Sequence, residues 1–304
     1  MHALILRGPR DATVVEVANP EPGASEVLVR IRACGVCASD LNAWRGVAGI
    51  EYPLPAGAPG HEVWGEVIAL GSEARELSVG QTVTGLMWNG FAGFGIARAE
   101  HLVACDRLLL GEPLACAANV VRRAALQPGQ RVVLVGFGYL AALIVQLLPP
   151  DAGEWVALAR RAESRSLALK LGAAAAYDFA DVPPHLWDNF PVVIEAAGAQ
   201  ESLDFASWLV AYGGRLVVAG YHADGSRTVN MQTWNWKGID VINAHERDPA
   251  VSMRALRAGL DMVARRRIDV ATLITDELPL DRAADAFARA EARTDGFVKV
   301  IVTP

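Results

Sequence analysis

Cysteine is scarce in this chain: Cys34, Cys37, Cys105 and Cys116 are all that its 304 residues contain. So few excludes a disulfide framework in a chain of this size and leaves free thiols or metal ligands. Long apolar runs are missing as well. None approaches the ~18 residues of a membrane span, and the opening MHALILRGPR has no basic stretch ahead of an apolar one. The expectation is a cytoplasmic chain without membrane contact. Positive charge is not in excess either: 28 Lys and Arg against 34 Asp and Glu give a net charge of −6. That leaves no electrostatic footprint for nucleic acid, which needs clustered Lys and Arg. Internal repeats and evident long linkers are absent too. What remains is 52% hydrophobic and 20% charged, with 28 Gly and 16 Pro, the composition of a core-rich globular chain. At ~100–200 residues per domain, two domains are expected.

Up to about residue 110, short apolar stretches such as SEVLVRIRAC, EVWGEVIALG and QTVTGLMW are broken by Gly and Pro. They read as closely spaced strands of an antiparallel, barrel-like unit. After Arg131 the rhythm changes. Apolar runs (RVVLVGFG, EWVALAR, FPVVIEAAG, GRLVVAGY) alternate with helical patterns, as in a parallel sheet wrapped by crossover helices.

The run RVVLVGFG leads straight into LAALIVQLL through Gly136, Phe137, Gly138, Tyr139, Leu140 and Ala141, a GxGxxA turn. The first Gly permits the tight turn, Gly138 lets backbone amides approach a pyrophosphate, and small Ala141 lets the helix pack close to the strand. Gly136, Gly138, Tyr139 and Leu140 are therefore candidate dinucleotide-binding residues. An acidic residue ~20 positions beyond the turn would bind the ribose 2′-hydroxyl of NAD. Here Ala159, Arg160 and Arg161 occupy that place. No carboxylate repels a 2′-phosphate and two guanidiniums can pair with one, so NADP(H) is the expected cofactor. The competing reading is two solvated arginines that open a helix.

Cys34 and Cys37 form a single CGVC, which alone could be a redox pair or half of a zinc site. No second CxxC follows to complete a four-cysteine zinc, and Cys34 is expected to be a buried small residue. The segment GVCASDLNAWRG, followed by PGHEVWGEV and EPLACAANVVRR, resembles the zinc-dependent alcohol dehydrogenases of the medium-chain dehydrogenase/reductase superfamily over nearly the whole chain. The resemblance implies an α/β chain of two parts: a GroES-like antiparallel β-barrel catalytic domain, residues 1–118 and 270–304, and a doubly wound Rossmann cofactor domain, 119–269. It implies one catalytic zinc held by Cys37, His61 and Cys116, with the fourth position left for water or substrate. Glu62 matches the residue that stands behind the metal or ligates it transiently, and Glu112 is the alternative to Cys116. Ser39 matches the hydroxyl that touches the substrate oxygen, and Asp40 the carboxylate that orients the zinc-ligating His. The four-cysteine structural lobe is absent: the chain passes from GLMW directly to NGFAGFGIARAEHLVAC. Asn42 stands where many members carry a proton-relaying His. Trp44, Trp88, Phe91 and Phe94 fall in segments that resemble substrate-pocket walls, which suggests a bulky or planar substrate. They could equally be rings of the barrel core.

The function expected is hydride transfer between NADP(H) and a small-molecule alcohol or carbonyl compound in a specialised bacterial pathway. A homodimer, or a tetramer of such dimers, would form through IDVINAH. Two other readings stand beside it: a zinc-free enoyl or quinone reductase of the same superfamily, and a dinucleotide-binding structural or sensor protein without turnover.

Overall fold

A computed structural model describes residues 1–266, 268–294 and 296–304. They form two compact units, Met1–Ala115 with Asp248–Asp261 and Asp269–Pro304, and Cys116–Arg247 with Met262–Ile268. The expected boundaries at residues 118/119 and 269/270 differ from these in part. The first unit ends at Ala115 and includes Asp248–Asp261. Two of the dividing points fall inside continuous helices, where no linker composition marks them in the sequence.

The first unit opens with the antiparallel pair β1 (His2–Gly8) and β2 (Asp11–Glu16). There follow β3 (Glu26–Gly35), α1 (Asp40–Arg45), β4 (Glu62–Leu70), β5 (Thr82–Gly85), β6 (Phe94–Arg98), β7 (Leu102–Ala104) and α2 (Gly111–Ala124), which runs on into the second unit. Strand β3 alternates buried and half-buried positions through Ile31, the period-2 pattern of a sheet with one face on the core. The second unit contains β8 (Val132–Val135), α3 (Tyr139–Leu147), β9 (Trp155–Leu158), α4 (Ala162–Lys170), β10 (Ala175–Tyr177), β11 (Phe190–Glu195), α5 (Gln200–Leu209), β12 (Val210–Val218), α6 (Met231–Lys237) and β13 (Asp240–Asn243). Helix α7 (Pro249–Arg266) is divided between the units. The chain then closes the first with β14 (Asp276–Pro279), α8 (Ala283–Ala292) and β15 (Val300–Thr303).

In the first unit's main sheet the order is β14-β15-β3-β4-β5-β7, with β6 on β3. All pairings are antiparallel except β14–β15, which is parallel. Parallel neighbours need a crossover, and α8 supplies it. Its Ala283, Ala286, Phe287 and Ala290 recur at helical spacing and join the core. The second unit's sheet runs β10-β9-β8-β11-β12-β13, parallel throughout, the doubly wound order in which the first strand lies at the switch point. Strands β8 and β9 are buried at every position, as expected when helices cover both faces. Among the described residues no helix is long and apolar enough to cross a membrane.

Candidate active site

Strand register brings the metal-binding residue types together. On β3 and β4, Cys34 lies opposite Val63 and Gly35 opposite Glu62, so the chain leaving β3 toward Cys37 runs beside the chain entering β4 through His61. Among the described residues, Cys37, His61 and Glu62 are the group whose ligand atoms all lie within 4.8 Å of one another. Cys116, half-buried on α2, is not a member of it, and neither is Glu112, half-buried in the first turn of the same helix.

Asp40 ties two members of the group together. Its Oδ2 accepts from the Cys37 backbone N–H at 2.8 Å, and the Asp40 N–H donates back to the Cys37 carbonyl at 3.1 Å. Its Oδ1 stands 3.2 Å from His61 Nδ1, which is also 3.2 Å from the Pro59 carbonyl oxygen. Both neighbours of Nδ1 are acceptors, so Nδ1 keeps its proton and Nε2 is the nitrogen whose proton a metal would displace. Burial pushes the His61 imidazole toward the neutral form, yet the carboxylate of Asp40 and the thiol of Cys37 outweigh it and raise its proton affinity well above the ordinary value. A thiol, an imidazole and a carboxylate arranged this way are donors that zinc takes, and a cation there would replace a proton.

Behind the group lies a residue that the sequence reading missed. Lys299 is buried, pairs with Glu62, and donates from Nζ to the Val36 carbonyl at 2.9 Å. The β15–β3 register puts it there: Ile301 faces Gly35, and the Val36 N–H donates to the Val300 carbonyl at 3.0 Å. Gly35 makes the room, since a Cβ there would meet Glu62 Oε2 at 2.1 Å and Lys299 Cε at 2.9 Å. The available signal was a lysine inside the apolar strand FVKVIV. Cys34 is fully buried in the core, as expected, and burial raises its thiol pKa far above the ordinary range.

Ser39 precedes α1 with helical backbone angles, and its hydroxyl makes no capping bond, so it is not consumed by the helix. Of the four aromatic candidates, two belong to the core. Trp44 stacks on Phe287 at 5.3 Å between ring centroids, and fully buried Phe91 meets Phe287 edge-on at 5.4 Å. Phe94 lies on β6 beneath the Arg30 guanidinium. Trp88 alone of the four is both exposed, at 67%, and close to the metal-type group, its ring centroid 5.8 Å from that of His61.

The second unit carries the glycine turn between β8 and α3. Gly136 has φ +90°, and a Cβ there would meet Ala197 Cβ at 2.6 Å, so only glycine fits. Gly138 caps α3, and nothing lies within 4 Å of where its Cβ would be. No neighbour in the fold demands glycine there, so what the residue provides is open approach to the helix N-terminus, a cradle a ligand phosphate would fill. Ala141 is fully buried against the sheet, while Tyr139 and Leu140 are half-buried in the first turn. At the end of β9, Ala159 is buried, Arg160 is exposed 3.7 Å from Glu201, and Arg161 starts α4. Arg165, also missed in the sequence, donates to the carbonyls of Ala159 at 2.8 Å and Arg160 at 2.7 Å and pairs with Asp178 at 2.6 Å. It pins the backbone on which the two arginines stand.

Comparison with known proteins fits this arrangement. Residues 23–143 match the alcohol dehydrogenase GroES-like domain. The probable alcohol dehydrogenase AdhA of Mycobacterium tuberculosis (strain CDC 1551 / Oshkosh) is 30% identical over 94% of this chain and 92% of its own length. The chain belongs to the zinc-dependent alcohol dehydrogenase family. This dehydrogenase is also similar to the sorbitol dehydrogenase of Halalkalibacterium halodurans, 26% identical over 96% of this chain and 95% of that protein. Among solved structures, a dehydrogenase of Sinorhizobium meliloti 1021 assigned to the zinc-binding type and bound to NADP matches with a TM-score of 0.86 and 26% identity, over 100% of this chain and 99% of that one. By name these relatives are alcohol and sorbitol dehydrogenases, and the chain is an oxidoreductase of the alcohol dehydrogenase family.

Proposed function

We propose that this dehydrogenase transfers hydride between NADP(H) and a bulky or aromatic alcohol–carbonyl pair, with one catalytic zinc per chain, in the cytoplasm. The observation that carries the reading is the Cys37–His61–Glu62 group with Asp40 bracing two of its members. Cys37 and His61 are ligands in every version of the site. The resemblance makes Cys116 the third donor and Glu62, paired with Lys299, the residue behind these donors. Zinc held by these donors would supply Lewis acidity toward a carbonyl oxygen. Asp40 keeps the proton on His61 Nδ1 and so leaves Nε2 to ligate. Ser39 would take up the proton of the substrate hydroxyl as it passes its own to water, since Asn42 does not titrate. The exposed ring of Trp88 offers a flat wall to a planar substrate.

For the cofactor, Gly136, Gly138, Tyr139 and Leu140 cradle the pyrophosphate, and Ala159, Arg160 and Arg161 receive the 2′-phosphate. The NADP-bound relative supports the same preference. A homodimer, itself able to pair into a tetramer, joins through β13, a free edge strand with Val241 41% exposed. Metal analysis and paired titrations test the reading. One zinc per chain and an NADPH preference of at least about tenfold, ~1.4 kcal/mol, are expected. No zinc retained with zinc supplied, or no loss of NADPH affinity in Arg161→Ala, refutes the corresponding half. Light scattering that reports a stable monomer at micromolar concentration refutes the dimer.

A further inference from the structure

At the carboxyl ends of β11 and β12 the second unit holds a charged network that the glycine turn does not use. Glu195, the last residue of β11, is fully buried. Its Oε1 accepts from the N–H groups of Ala197 at 2.8 Å and Gly198 at 2.7 Å and from the Ser202 hydroxyl at 2.6 Å. Its Oε2 lies 3.0 Å from His222 Nε2, and Arg227 Nε donates to His222 Nδ1 at 2.9 Å. A guanidinium only donates, so Nδ1 carries the lone pair, the proton sits on Nε2, and His222 is a neutral link from Arg227 to the Glu195 carboxylate. Arg227 also donates to the Gly198 carbonyl at 2.9 Å and pairs with Asp224.

This network closes two loops on each other. Thr228 N–H donates to Gln200 Oε1 at 2.9 Å while Gln200 Nε2 donates to the Thr228 carbonyl at 2.8 Å. A Cβ on Gly198 would meet the Tyr221 carbonyl oxygen at 2.6 Å, and one on Gly220 would meet the Gly198 nitrogen at 2.3 Å. The turn after β11 and the loop after β12 therefore form one wall. The same turn touches the dinucleotide site, because Ala197 is the residue that excludes a Cβ from Gly136. In this sheet order the ligand crevice opens at the carboxyl ends of β8 and β11. If the adenosine half is read at the end of β9, the other half extends over β11 and β12.

We propose that Glu195, His222 and Arg227 are positioning residues that hold the wall against which the nicotinamide half of the cofactor rests. The inference rests on the dinucleotide reading above and goes beyond it. It is tested by calorimetric titration of the full chain and of His222→Leu, His222→Gln and Arg227→Met with NADPH and with 2′,5′-ADP, which has the 2′-phosphate but no nicotinamide. His222→Leu and Arg227→Met should weaken NADPH about tenfold and change 2′,5′-ADP by less than about twofold, because the network shapes only the part of the site that the nicotinamide half would meet. His222→Gln should recover most of the loss, since one amide offers a donor to Glu195 and an acceptor to Arg227. Equal weakening of both ligands, no weakening of either, or no recovery with Gln overturns the proposal. Should His222→Leu not fold, Arg227→Met against wild type makes the same comparison. A wild-type chain that binds neither ligand refutes the dinucleotide reading and the wall with it, whereas binding of both without discrimination by the variants refutes the wall alone.

Discussion

Lys299→Met should be among the costliest single substitutions in this protein. The side chains of Lys299 and Glu62 are only 5% and 2% exposed, so each is the other's counter-charge in a region with little water. Methionine keeps most of the lysine stem, so packing changes little and the charge is the variable. Breaking a buried pair by removing one partner costs about 3–5 kcal/mol. The loss has a ceiling, because a stranded carboxylate can take up a proton. At pH 7 that costs about 3.7 kcal/mol for a carboxyl of ordinary acidity, at 1.36 kcal/mol per pH unit. Adding about 1 kcal/mol for the lost bond to the Val36 carbonyl gives roughly 5 kcal/mol in all. The pH dependence has a definite sign. The variant's folded state holds a proton that its unfolded state releases, so the penalty grows as pH rises above the carboxyl range and shrinks on acidification. Urea unfolding followed by near-ultraviolet circular dichroism, with EDTA present so that metal linkage does not contribute, measures the difference at pH 7 and pH 5.5. The double variant Glu62→Gln/Lys299→Met should recover much of the stability, because neither charge remains. A Lys299→Met protein within about 0.5 kcal/mol of wild type, or a double variant whose loss equals the sum of the singles, refutes the reasoning.

Gly138→Ala should leave the thermal midpoint nearly unchanged, because nothing lies within 4 Å of the new Cβ, yet weaken NADPH in a fluorescence titration. Gly136→Ala should instead destabilise the second unit, through its clash with Ala197 and its φ of +90°. Asp40→Asn should lower zinc affinity about 10–100-fold in a competition titration with a chromogenic chelator, since an amide cannot hold the His61 imidazole as a carboxylate does. Glu291 receives Arg45 and Arg10, which hold its carboxyl below the ordinary value of 4.5. A depressed folded value stabilises above the unfolded value and is lost as pH falls through the folded one. Glu291→Gln should therefore lower the urea midpoint at pH 7 and make little difference near pH 3.

Much of this molecule was legible without coordinates, and the reason differs between its halves. Strands β8 and β9 read as continuous apolar runs because both their faces are covered, and the GxGxxA turn follows from the backbone conformation that Gly136 must adopt. Cys37, His61, Ser39 and Asp40 were singled out because the segments that hold them resemble the motifs of a known family, not because their own spacing specifies a site. The aromatic candidates were less tractable. Trp44 and Trp88 are the same residue type in similar company, yet one stacks on Phe287 in the core and the other stands exposed beside His61. Position along the chain says nothing about which side of a barrel wall a ring faces when the strands that decide it are far away in sequence.

By itself, the sequence determined the two-part α/β architecture and the glycine turn, because each depends on local spacing and periodicity, while the candidate metal donors were legible only through resemblance to family motifs. Tertiary structure alone decided that Glu62 meets a lysine 237 positions later, that Gly35 exists to leave space for that pair, and that Glu195, His222 and Arg227 join across two loops. Those contacts depend on strand register and loop closure. A one-residue slip of β4 against β3 would turn Glu62 to the opposite face, and no local pattern encodes which residue of one strand will lie opposite which residue of another.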